Sequence, residues 1–178
     1  ADLLGTSNRS TEIFDPSTNS FSAGPNIPEP KAGHVAVTLQ DGRIWLGGGI
    51  TFTVIFGLPI PDFSTKVYLY SQSTNSFTSA GNVGNPRALF GCMVLADGRV
   101  VIVGGAGGDI FNIGPISACH IWSPSGNSTT ALASLPAINA FNSPVQLADG
   151  RVLVVGGAGG TLDDPIPINS LQELPLNG

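Results

Sequence analysis

The side chains able to do chemistry are few and scattered. Two histidines, His34 and His120, and two cysteines, Cys92 and Cys119, supply the soft ligands and the only nucleophilic sulfurs. They form no CxxC motif and no His/Cys cluster, so no metal site is signalled. The cysteines read as small buried hydrophobes; a disulfide needs their strands brought close together. Asp163-Asp164 is a lone acidic pair before Pro165 and reads as a turn, not a catalytic dyad. Gly104 to Gly108 and Gly156 to Gly160 look like phosphate cradles, but neither opens a helix, as anion binding there requires. No serine nucleophile elbow, zinc-binding helix or phosphate loop is present. The expectation is therefore no catalytic residue, no metal and no cofactor.

Composition narrows the class. Charged residues are 11% of the 178, hydrophobic residues 42%, and Gly and Pro number 24 and 14. Apolar residues come in short blocks between turn formers, which predicts many short strands and almost no helix. The formal net charge is −5 and the Lys and Arg residues stand singly. A nucleic-acid surface needs clustered cations, so nucleic acid is excluded as a partner. The apolar stretch from Ile50 to Ile60 contains Gly57 and Pro59 and falls short of a membrane span.

Two phrases recur in step. Leu-x-Asp-Gly-Arg leads into an apolar run and a Gly-Gly doublet three times: Asp41-Gly42 with Gly47-Gly48, Asp97-Gly98 with Gly104-Gly105, and Asp149-Gly150 with Gly156-Gly157. The Asp-Gly pairs lie 56 and then 52 residues apart. Ile13 to Phe21, Leu69 to Phe77 and Ile121 to Thr129 repeat a second phrase at the same two spacings. One unit of about 50 residues is therefore duplicated, a period that marks propellers and solenoids.

The spacing predicts four strands, a to d, per unit. In the second full unit these are 88–95, 99–104, 118–122 and 128–133, with a Gly/Pro-rich loop between b and c. In the first they are 33–39, 43–47, 65–70 and 76–80. The chain opens on strands c and d at 10–14 and 20–23. It closes on a and b at 140–147 and 151–155, and a c strand at 170–174. Asp-Gly between two apolar runs predicts a two-residue type I′ hairpin turn. The three following arginines, each two residues from an Asp, read as locally paired.

This pattern resembles the kelch repeat: a hydrophobic strand, a turn, a second strand ending in Gly-Gly, then an aromatic-bearing strand and a fourth strand. Phe14, Tyr70 and Trp122 are the aromatics of strand c. Phe21 and Phe77 stand where the family has Trp on strand d, and Ser128-Thr129-Thr130 replaces it in the last full unit, where Trp122 compensates from strand c. The resemblance implies an all-β fold of four-stranded antiparallel propeller blades, with the aromatics packed between blades. It covers nearly the whole chain: 1–31 (partial unit), 32–87, 88–139 and 140–178 (partial unit). The family also includes copper-radical oxidases of the galactose oxidase type, which use two Tyr, two His and a Cys joined to one Tyr. Here Tyr68 and Tyr70 share one strand, while His34 and His120 fall in different units, so no motif is matched.

About three blade equivalents do not make a closed ring, since propellers usually have four to eight blades. The resemblance therefore implies a ring completed by another copy or by a missing segment, or an open head-to-tail filament. The expected function is a non-catalytic binding or assembly module with a protein or glycan ligand. The alternatives are a piece of a secreted oxidase and a structural polymer. Low charge and two N-x-S/T sequons, at Asn8 and Asn127, point to an extracellular setting.

Overall fold

Each repeat folds as an antiparallel meander interrupted by a hairpin. The computed structural model describes residues 8–109, 112–161, 164–169 and 171–176. All of its regular elements are strands. A two-stranded pair, β1 (Glu12–Asp15) and β2 (Ser20–Ala23), comes first. The next repeat supplies β3 (Val35–Thr38), β4 (Ile44–Gly47), the hairpin β5 (Ile50–Ile55) and β6 (Leu58–Phe63), then β7 (Lys66–Ser71) and β8 (Ser76–Asn82). Its sheet order is β3-β4-β7-β8, with the β5–β6 hairpin as a separate small sheet.

The following repeat uses the same plan. It contributes β9 (Gly91–Val94), β10 (Val100–Val103), the hairpin β11 (Ala106–Asp109) and β12 (Asn112–Pro115), then β13 (Cys119–Ser123) and β14 (Ser128–Leu132). The last contributes β15 (Ser143–Gln146), β16 (Val152–Val155), the hairpin β17 (Ala158–Gly160) and β18 (Pro165–Pro167), and β19 (Leu171–Leu174). Their sheet orders are β9-β10-β13-β14 and β15-β16-β19.

Strands a to d thus fall where the two phrases predict, but two expectations need correction. The Gly/Pro-rich segment after strand b is a hairpin in every repeat rather than an irregular loop. In a two-stranded hairpin each strand has a free edge, so a proline whose missing N–H would point outward costs no ladder bond. The second correction concerns the Asp-Gly turns. Positive φ occurs at Gly42, Gly98 and Gly150 (83°, 85° and 91°) and at none of Asp41, Asp97 or Asp149. The Leu39 amide bonds to the Arg43 carbonyl at 2.8 Å, and the Gly42 amide to the Leu39 carbonyl at 3.0 Å. That is a three-residue loop: a type I turn closed by a left-handed glycine bulge. The Asp carboxylate stabilises it by accepting the amide of the Arg two residues on, at 3.0–3.1 Å in all three turns.

The c-to-d turn also repeats its geometry. Asn19, Asn75 and Asn127 all sit at positive φ, between 47° and 51°. Asn tolerates that region better than other side chains, which gives the recurrent Ser-x-Asn-Ser phrase a physical reason.

The core lies between the sheets. β10 is buried on both faces. Val100 and Ile102 pack with Trp45, Val67, Leu69 and Trp122 of one layer. Val101 and Val103 pack with Val152, Val154 and Leu174 of the other. Alternation along one short strand therefore joins three repeats. Trp45 and Trp122 meet edge-on with centroids 6.3 Å apart. The Trp122 indole N–H donates to the Ala80 carbonyl at 2.8 Å, so the ring is buried without an orphaned donor.

Gly98→Val places a β-branched side chain at φ 85° and should cost about 1–3 kcal/mol. Gly98→Asn should cost distinctly less. Denaturant unfolding midpoints of the two variants check this, and wild-type stability for Gly98→Val would contradict the bulge.

Candidate functional site

The chemistry of this chain is concentrated at the junctions between repeats. The doublet that recurs in the structure is Gly48-Gly49 rather than Gly47-Gly48, because Gly47 is the last residue of β4; in Gly48-Gly49, Gly104-Gly105 and Gly156-Gly157 the first glycine has φ near 60° and the second φ above 100°. The second glycine's amide reaches the residue that leads into the next repeat: Gly49 donates to the Arg87 carbonyl and Gly105 to the Asn139 carbonyl, both at 2.8 Å. The first glycine leaves room for that approach. A methyl group at Gly48 would stand 2.5 Å from the Arg87 carbonyl oxygen, and one at Gly104 would stand 2.1 Å from that of Asn139. At Gly156 a methyl group would meet nothing within 4 Å.

A second main-chain thread runs alongside. Leu89 donates its amide to the Gly33 carbonyl at 3.0 Å, and Phe141 donates to the Leu89 carbonyl at 2.9 Å. These equivalent positions all lie at positive φ, 55–61°. Leu89 and Phe141 hold a conformation unusual for large side chains, and the inter-repeat bonds help to hold them there.

Beside each doublet lies a buried polar residue that the sequence reading did not single out. Lys31, Arg87 and Asn139 recur one residue before Ala32, Ala88 and Ala140, and all three are buried. Their spacing of 56 and 52 residues, in step with the repeat, was the available signal. On strand c, Tyr68 lies against Lys31 and His120 against Arg87, and Gln172 holds the equivalent register position in the last repeat. Arg87 is fully buried and donates to the Gly104 and Ala118 carbonyls at 2.8 and 2.7 Å. Its other terminal nitrogen lies 2.9 Å from Nδ1 of His120. Burial lowers the Arg87 pKa to about 10. Burial, and then the Arg87 charge, hold His120 down at about 4, so it is neutral and accepts from Arg87.

Lys31 lies over the Tyr68 ring at 5.0 Å and pairs with Glu29 at 2.8 Å. Glu29 also meets Lys66 at 2.9 Å and accepts from the Ser64 hydroxyl. Burial opposes ionisation of Glu29, but Lys31, Ser64 and Lys66 outweigh it and hold the carboxyl at about 2. A carboxylate that acidic is a poor base for Ser64 near neutral pH, so the cluster is an ion-pair network. In the last repeat Asn139 donates to the Gly156 carbonyl at 3.0 Å. Among the described residues the side-chain carbonyls of Asn139 and Gln172 have no partner.

The other expected residues are spread apart. Arg43, Arg99 and Arg151 each pair with the Asp two residues earlier, at 2.7–2.9 Å, on the exposed turns. Tyr68 is committed to Lys31, and Tyr70 donates to Asn75 at 3.1 Å. Cys92 and Cys119 are free and lie on β9 and β13, with β10 between them. Cys92 packs with one layer of the core and Cys119 with the other, and burial pushes both thiols up. Asn127 is exposed on its turn. Exposed Asn8 accepts the Ser10 amide at 2.9 Å. Asp163 lies outside the described residues, while the Asp164 amide donates to the Thr161 hydroxyl at 3.0 Å. Among the described residues no group of three or more His, Cys, Asp and Glu is arranged to hold a metal. Among the described residues no helix is long and apolar enough to cross a membrane. No protein-family model matches the chain, and no curated protein matches its sequence.

Two outcomes test this site. Arg87→Met leaves the buried Gly104 carbonyl without a donor and should cost about 1–3 kcal/mol, read from the unfolding midpoint. The second is an acid limb. His120 ionises at about 4 when folded and near 6.5 when unfolded. Its stabilising contribution is full above about 6.5 and is lost as pH falls towards 4. Glu29, depressed from 4.5 to about 2, extends the loss below pH 4.5. Melting temperature against pH should show both phases, and His120→Gln should flatten the first.

Proposed function

We propose that this chain is a stretch of a kelch-type β-propeller, acting as a non-catalytic, extracellular binding and assembly module. A further repeat of the same kind covers its last sheet, supplied by another copy or by additional chain. One comparison carries the reading. Met93, Val101, Val103 and Cys119 pack against Val152, Val154 and Leu174 of the next repeat. The equivalent positions of the last repeat are Val145, Leu153, Val155 and Leu171. Among these, Val145, Val155 and Leu171 are 47%, 39% and 65% exposed. The same sheet face is thus covered by the next repeat in both complete repeats and bare in the last, which supports a further repeat as its occupant. The open doublet at Gly156 lies on the same side.

Four-stranded antiparallel sheets stacked face to face support the blade reading, and so does the thrice-repeated doublet. The N-terminal pair β1–β2 corresponds to strands c and d, and its Ile13, Phe14 and Phe21 are exposed. Docking of this pair beside strand b of the last repeat of another copy meets an obstacle. β19 already pairs with β16 from Val155↔Leu171 to Val152↔Leu174. Completion therefore either adds a fourth strand at β19 or replaces β19 by β1. Phe14 stands at the position of Tyr70 and Trp122, where β19 has Leu174, so β1 offers the aromatic that the other repeats use.

The test is native mass against concentration. The 18.2 kDa chain should self-associate, and Val155→Glu or Leu171→Glu should weaken association by at least about tenfold, given the apolar area involved. A stable monomer at high concentration, unaffected by either change, would overturn the reading.

A further inference from the structure

The two complete repeats differ in length by four residues, and the whole difference lies in one hairpin. Gly47 pairs β4 with Val67 of β7, and Val103 pairs β10 with Cys119 of β13. The separations are 20 and 16 residues, which accounts for the repeat lengths of 56 and 52. The extra length makes the tip of β5–β6.

That tip is apolar and exposed on both faces. Val54, Ile55, Phe56 and Leu58 are all exposed, and Phe56 is fully so. Successive residues of a strand point to opposite sides, so Val54 and Ile55 show that the protein covers neither side. No charged residue occurs between Arg43 and Asp62. The turn is a true two-residue type I′, with Phe56 at φ 51° and Gly57 at φ 80°. A bulky side chain is strained in that position, and here it contacts nothing that repays the strain.

The prolines say what kind of surroundings suit this tip. Ile55 pairs with Leu58 to close the turn, and pairs then alternate along the hairpin. Val54↔Pro59 and Phe52↔Pro61 are the pairs whose amides point outward. Proline at both positions strips the outer edge of β6 of two donors. An edge without those donors is a poor template for strand addition by a protein. It also lowers the cost of placing backbone where no acceptor is available. A protein surface would cover one face of the hairpin, whereas a tip apolar on both faces suits a medium that surrounds it. β5 keeps its outward amides, which limits the depth to the turn.

We propose that Val54–Leu58 is a wedge that inserts shallowly into the headgroup–acyl boundary of a neutral lipid bilayer. With no cation on the tip and a net charge of −5, anionic lipid adds no attraction, and binding is insensitive to salt. This rests on the hairpin alone and does not depend on the repeat family.

The experiment is flotation of the full chain with phosphatidylcholine vesicles, at low and high salt, with and without phosphatidylserine. Binding to pure phosphatidylcholine, unchanged by salt, is expected. Phe56→Asp should weaken it by at least about tenfold, the scale set by one large apolar side chain. Phe56→Gly should also weaken it while raising the melting temperature, because glycine suits the positive φ; a merely structural residue would not separate the two readouts. Absence of binding, binding only to phosphatidylserine that salt abolishes, or binding untouched by Phe56→Asp would each overturn the proposal. So would a Phe56→Asp variant whose only change is a smaller native mass, which would seat the tip in another copy.

Discussion

The second glycine of each doublet is the constraint on which the structure depends. It turns the chain out of strand b at φ above 100°, and at Gly49 and Gly105 it aims its amide at the carbonyl of the residue that leads into the next repeat. A side chain cannot do this. At Gly105 a methyl group would stand 2.7 Å from the Ala88 carbonyl oxygen. The doublet is thus both the end of a strand and the joint between units. The spacing of sheets follows from it, and so does the burial of β10 on both faces.

Around that joint, hydrophobic and polar interactions divide the work. Sheet-on-sheet packing of Val, Ile, Leu and Trp supplies the non-directional cohesion. Lys31 with Tyr68, Arg87 with His120, and Asn139 with the Gly156 carbonyl occupy the polar end of each junction. Arg87 answers the Gly104 and Ala118 carbonyls and the His120 ring. The shorter Asn139 answers one carbonyl, and acceptors in the last repeat are left over. The repeats are therefore alike in backbone and unlike in how well their junctions are satisfied.

Much of the fold was legible because its signals are local. Apolar runs flanking Asp-Gly place strands a and b, and a shared phase places c and d. The turn type was not legible, because Asp-Gly fits a two-residue loop and the last two places of a three-residue loop equally. The paired register of Thr38 with Ile44 decides it. The inner hairpins were hidden because Gly and Pro carry no strand periodicity. Single bridges such as Ala88 with Ala106 anchor them to the start of strand a. Arg87 was hidden for another reason. Its role depends on carbonyls 17 and 31 residues away, which no local pattern displays. The separation of Cys92 from Cys119 likewise needed the strand order.

The central claim is that the repeats are joined by main-chain bonds as firm as the sheets themselves. Residue-resolved amide hydrogen exchange tests it most directly. The account predicts that the amides of Gly49, Leu89, Gly105 and Phe141 exchange as slowly as those of β10, opening only with the whole array. Exchange of those four at the rate of the β5–β6 tip, while β10 stays protected, would contradict it. The sheets would then be independent units in loose contact.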